Sequence, residues 1–162
     1  MYEERVNKKV PETYFGEKQE EELRIFEKNI SAKFEKINLN ENLEDELYST
    51  LMYYMKAALA VDGAAAKFNA LNEEATKLHK LYQREQNPRK AQELLARVRQ
   101  LRKEQEIFKA AYKYYSGVAT KLEPEVNKAY EIINEALERK GIAVNDESMA
   151  KSPKFPNGRG RK

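Results

Sequence analysis

The chain has 162 residues, 35% of them charged, a net charge of +3, six glycines, five prolines and no cysteine. That length suits one domain with a sizeable core, and so few helix breakers suit helices over strands. The lack of Cys removes disulfides, Cys-ligated metals and thiol catalysis, and no apolar run reaches the length of a transmembrane helix.

Residues 1–16 read as an N-terminal arm. Met1-Tyr2-Glu3-Glu4 is too acidic for a signal peptide, so intracellular synthesis is the expectation, with no defined destination. Pro11 interrupts any helix, and Tyr14-Phe15-Gly16 is turn-like. A first helix is expected over 17–37. Leu23, Phe26, Ile30, Phe34 and Ile37 trace one face, and Glu20, Glu21 and Glu22 suit the positive end of the helix dipole. Asn40 or Asn42 is placed to cap a second helix over 43–61. It is the most apolar, with Leu47, Leu51, Met55 and Leu59 on one side and Tyr48, Met52, Tyr54 and Ala58 widening the face.

The zone 57–66 is rich in Ala and contains Asp62-Gly63. Counting 100° per residue, the apolar face swings to nearly the opposite side across this step. Either the chain turns at Gly63 or one long helix changes partners there; the break is the expectation, followed by a third helix over 64–86 with Phe68, Leu71, Ala75, Leu78 and Tyr82 on its stripe. His79, the one histidine, lies beside that stripe without a Glu three residues earlier or a catalytic partner pattern, and reads as a border residue.

Asn87 and Pro88 mark the start of the best-patterned stretch, 88–122. Leu94, Leu101, Phe108, Tyr115 and Leu122 recur every seven residues, with Val98, Gln105, Tyr112 and Ala119 four residues after the first four. This coiled-coil spacing requires a partner helix along its length. The short turn at Gln86-Asn87-Pro88 points to an antiparallel hairpin with the preceding helix. Gln105, polar within the seam, is expected to be partly exposed where the two helices diverge. Ser116-Gly117 and Pro124 predict a bend or short break near 116–124. A last helix then carries Val126, Ala129, Ile133 and Ala136 and ends with Gly141 at C′.

Residues 146–162 read as a flexible basic tail, too polar to order itself. Charge is unevenly spread: net −5 over 1–62, +1 over 63–87, +6 over 88–121, −2 over 122–145 and +3 over 146–162. Arg99, Arg102, Lys103, Lys109 and Lys113 share one face away from the apolar stripe. With Lys151, Lys154, Arg159, Arg161 and Lys162 of the tail they form a candidate anion or nucleic-acid surface. The first part of the chain offers acidic neighbours, so the expectation is that the stripe pairs internally or between subunits.

Tyrosine is favoured on surfaces both buried and wet, as at subunit contacts, which makes Tyr53, Tyr54, Tyr112, Tyr114, Tyr115 and Tyr130 candidate interface residues. There is no Gly-rich phosphate loop, no nucleophile motif and no His/Glu metal spacing, so no catalytic, metal or cofactor site and no membrane partner is expected. The fold expected is all-α, a bundle of four to five helices over 17–145 built on long antiparallel hairpins. The function expected is non-catalytic assembly through helical interfaces, with self-association, as a scaffold, adaptor or virion component. A helical nucleic-acid-binding protein is the alternative.

Overall fold

The computed structural model describes residues 15–141 as three long helices, with no strand among them. They are α1, Glu17–Glu35; α2, Glu41–Arg84; and α3, Pro88–Arg139. The expected arm before residue 15 and the tail over 146–162 lie outside the described residues. The fold is all-α as expected, but with three helices instead of four to five. The break expected at Gly63 is absent, and so is the short break, one of two outcomes expected near 116–124.

The helix starts follow local chemistry. The Asn40 side chain accepts from the N–H groups of Asn42 and Leu43 at 2.8 and 3.3 Å, and Asn87 accepts from Arg89 and Lys90 at 2.9 and 3.2 Å. At the head of α1 the Gln19 side-chain oxygen accepts the Gly16 N–H at 3.0 Å. The far end of α3 closes at Gly141, whose φ of 75° is the left-handed geometry expected of C′.

At about 1.5 Å per residue, α2 and α3 run roughly 66 and 78 Å, and α1 only about 28 Å. A turn at 85–87 folds α2 and α3 into the expected antiparallel hairpin. α1 folds back along the first half of α2, and its start is held at Asp62 by a 2.9 Å bond from Gln19 Nε2 to the Asp62 carboxylate. The molecule therefore has two parts. The base consists of α1, α2 up to Asp62 and α3 from Tyr114. The stalk is the remaining two-helix hairpin, 63–113.

The base holds the main core. Phe26, Ile30 and Phe34 of α1 share one buried cluster with Leu51, Tyr54 and Val61 of α2 and Val126, Ile133 and Leu137 of α3. The stalk core is thin: Leu71, Ala75 and Leu101, with Leu78 and Phe108 packed against them. Ala64 and Ala111, both fully buried, let the two helices approach at the neck between the parts.

The expected break at Asp62-Gly63 is corrected by this arrangement. α2 passes through unbroken, and its apolar face swings because α1 stops beside Asp62. Below that level α2 is enclosed on several sides, with Ala57, Ala58, Leu59, Ala60 and Val61 all buried. Above it, among the described residues, α2 packs against α3 alone.

Of the bend or short break expected near 116–124, the break is absent. Pro124 lies inside α3, and both Pro124 and Thr120 are exposed, so the Thr120 carbonyl that loses its donor opens to water. The seven-residue register carries the helix across, because Val118, Ala119, Leu122 and Val126 remain buried in the base.

Candidate interaction surfaces

The six candidate tyrosines divide by burial. Tyr54 and Tyr130 are 1% and 4% exposed inside the base core, which corrects their reading as interface residues: they pack the single chain. Burial, and secondarily the neighbouring Tyr54, push the Tyr130 hydroxyl's pKa well above its ordinary value. That hydroxyl has no hydrogen-bond partner among the described residues. Tyr53, Tyr112, Tyr114 and Tyr115 are half-buried. The last three gather around Ala64 and Ala111 at the neck, where the Tyr114 and Tyr115 rings meet edge to face at 5.4 Å. Desolvation, then Tyr114, raises the Tyr115 pKa. The neck thus presents an aromatic collar that is partly exposed.

The basic stripe lies along the stalk. Arg102 turns inward and donates to Asn72 Oδ1 across the hairpin at 2.8 Å and to Gln105 Oε1 at 2.6 Å. Gln105 in turn donates to the Phe68 carbonyl at 3.4 Å. Gln105 is only 4% exposed, which corrects the expectation of partial exposure: the seam stays closed there, and Arg102 and Phe68 satisfy the amide. Arg99, Lys103, Lys109 and Lys113 are exposed and make no ion pair or side-chain hydrogen bond among the described residues. Arg97 makes a long ion-pair contact with Glu74 across the stalk, at 3.7 Å.

The expected pairing of the stripe with the acidic front of the same chain therefore does not form among the described residues. Residues 17–62 sit in the base, and the stripe sits on the stalk. Folding makes the separation sharper than the linear sequence does, because the acidic end of α3 also joins the base. Residues 63–113 carry twelve Lys/Arg and six Asp/Glu, a net of +6. The base, 17–62 with 114–141, carries ten Lys/Arg and sixteen Asp/Glu, a net of −6. Lys151, Lys154, Arg159, Arg161 and Lys162 lie outside the described residues.

Three exposed apolar side chains escaped the sequence reading: Ile25 on α1, Leu81 on α2 and Ile107 on α3. Each lies off its helix's apolar stripe, so no periodicity marks it. On the base surface, Tyr48 donates to the Glu27 carboxylate at 2.5 Å. That bond, then burial and the Glu27 charge, raises the Tyr48 pKa.

His79 is exposed, stacks on Tyr82 with ring centres 5.7 Å apart and lies 3.4 Å from Gln83 Nε2. Among the described residues no group of three His, Asp or Glu side chains is arranged to hold a metal ion, and no helix is long and apolar enough to cross a membrane. Comparison with protein-family models, curated proteins and solved structures finds no match to this chain.

Proposed function

We propose that this chain is a non-catalytic assembly protein that associates with further copies of itself through its helical surfaces. The observation that carries this reading is the segregation of charge, net −6 in the base and +6 in the stalk, with Arg99, Lys103, Lys109 and Lys113 making no ion pair among the described residues. Opposite patches too far apart to meet within one chain attract between chains, and they orient the encounter more than they deepen the affinity. The half-buried collar of Tyr112, Tyr114 and Tyr115 supplies apolar surface with polar tips at the boundary between the patches.

Light scattering on a sizing column, with absorbance at 260 and 280 nm recorded across the peak, tests the proposal. A discrete oligomer free of nucleic acid is the expected result, and its mass falls as salt is raised. A strict monomer at high concentration overturns it. One observation favours a second reading, nucleic-acid binding: Tyr112 lies between the unpaired Lys109 and Lys113, an arrangement that suits stacking beside phosphate contacts. On that reading binding is steeply salt-sensitive and is lost in the Arg99→Glu, Lys103→Glu double variant.

A further inference from the structure

Resting on the assembly reading, we infer that two copies pair antiparallel, each basic stalk lying along the acidic base of the other, about a two-fold axis near Asp62 and Lys113. The two halves match in length. α2 has 22 residues on either side of the boundary between Asp62 and Gly63, and α3 has 26 on either side of the boundary between Lys113 and Tyr114. A two-fold axis at that level superposes each stalk on the other copy's base over the whole length of α2. The opposite net charges of the halves then meet in both places at once, and no end is left over.

Other packings lose this. A parallel pair sets base on base and stalk on stalk, like charge on like charge. A head-to-tail chain leaves one stalk and one base unmatched at its ends, and it grows. The antiparallel arrangement is closed and self-complementary, the commonest symmetry of soluble homo-oligomers.

Packing points the same way. α1 covers only the base half of the hairpin, with its start at Asp62, so no third helix among the described residues lies along the stalk. It is the stalk that exposes Leu81 and Ile107 and leaves Phe108 half-buried. A second copy's base laid there provides the missing cover. A contact about 66 Å long and one helix diameter wide, about 10 Å, buries on the order of 1,300 Å² in total, within the range of stable interfaces.

The absence of cysteine makes the test direct. Gln86→Cys marks the stalk tip and Asn38→Cys the opposite end of the base, and both positions are exposed. Donor-labelled Gln86→Cys and acceptor-labelled Asn38→Cys are mixed in high salt and returned to low salt. Efficient energy transfer between them, with little when both labels sit at residue 86 and a mass of two chains, is the expected result.

Lys103→Glu with Lys109→Glu and Lys113→Glu weakens the dimer about tenfold or more at low salt. Mixing that variant with Glu20→Lys plus Glu21→Lys restores part of the loss. All these positions are exposed, and helical dichroism checks the fold of each variant. A dimer with its tips together, or a mass that climbs with concentration, overturns the antiparallel pair while leaving self-assembly standing. A monomer at every concentration overturns both.

Discussion

The base and the stalk are built on the same two helices, yet they are held together differently. In the base three helices surround Leu51, Ile133 and Leu137, all fully buried, and a residue on α2 meets neighbours on two sides. In the stalk two helices share a single seam, and only Leu101 and Ala75 reach complete burial beyond the neck. Two helices alone enclose few side chains completely. The stalk therefore contributes less hydrophobic stabilisation per residue, and it uses a buried polar group, Gln105, in its seam. A third helix is what separates a core from a zipper. The stalk's deficit is also what leaves Leu81 and Ile107 exposed.

The largest expected effect tests that contrast directly. Ile133→Ala in the base removes about 3–5 kcal/mol of global stability, read by calorimetry or denaturant unfolding. Leu101→Ala, equally buried, costs about 2–3 kcal/mol, because an open seam collapses more easily around the gap. Its loss of amide protection is confined to 64–112. If Leu101→Ala unfolds the base as well, the two parts form one cooperative unit and the comparison fails.

Next comes alkaline pH. Burial raises the Tyr130 pKa in the folded base above its unfolded value of about 10. Its contribution is fully present below about pH 10 and is lost as pH rises through the folded value. Base stability should therefore fall above about pH 10. Tyr130→Phe should flatten that fall and, by removing a buried hydroxyl without a partner, raise stability at neutral pH by about 1 kcal/mol. A Tyr130→Phe protein less stable than the parent would show that the hydroxyl is satisfied after all.

The smallest effect lies at the stalk tip. Asn87→Ala removes the acceptor for the Arg89 and Lys90 amides and costs about 1 kcal/mol. Hydrogen exchange should detect fraying at the start of α3, with the base unchanged.

Much of the helical pattern was legible from residues alone. All nine stripe positions from Leu94 to Leu122 are buried or half-buried, as are Leu23, Phe26, Ile30 and Phe34 on α1. The caps at Asn40 and Asn87 and the left-handed Gly141 were readable because a cap depends on three or four neighbouring residues. The break favoured at Gly63 and the short break allowed for near Pro124 do not form, for one reason. Gly63 and Pro124 are local signals, whereas helix continuity at those points is decided by what packs against the chain. The tyrosines divided for a related reason: Tyr53 and Tyr54 are adjacent in sequence but point in different directions, and only the position of the third helix sorts them.

By itself the sequence determined the all-α class, the apolar faces, the helix starts and the hairpin turn at 85–87. These follow from spacing at 3.6 residues per turn and from short-range hydrogen bonding. Only the tertiary structure decided that three helices, not five, carry those faces, and that α1 stops at Asp62. It also decided that the two acidic stretches gather at one end, away from the basic stripe. Those outcomes depend on which segments lie side by side across tens of residues, and burial and charge act through space, not along the chain.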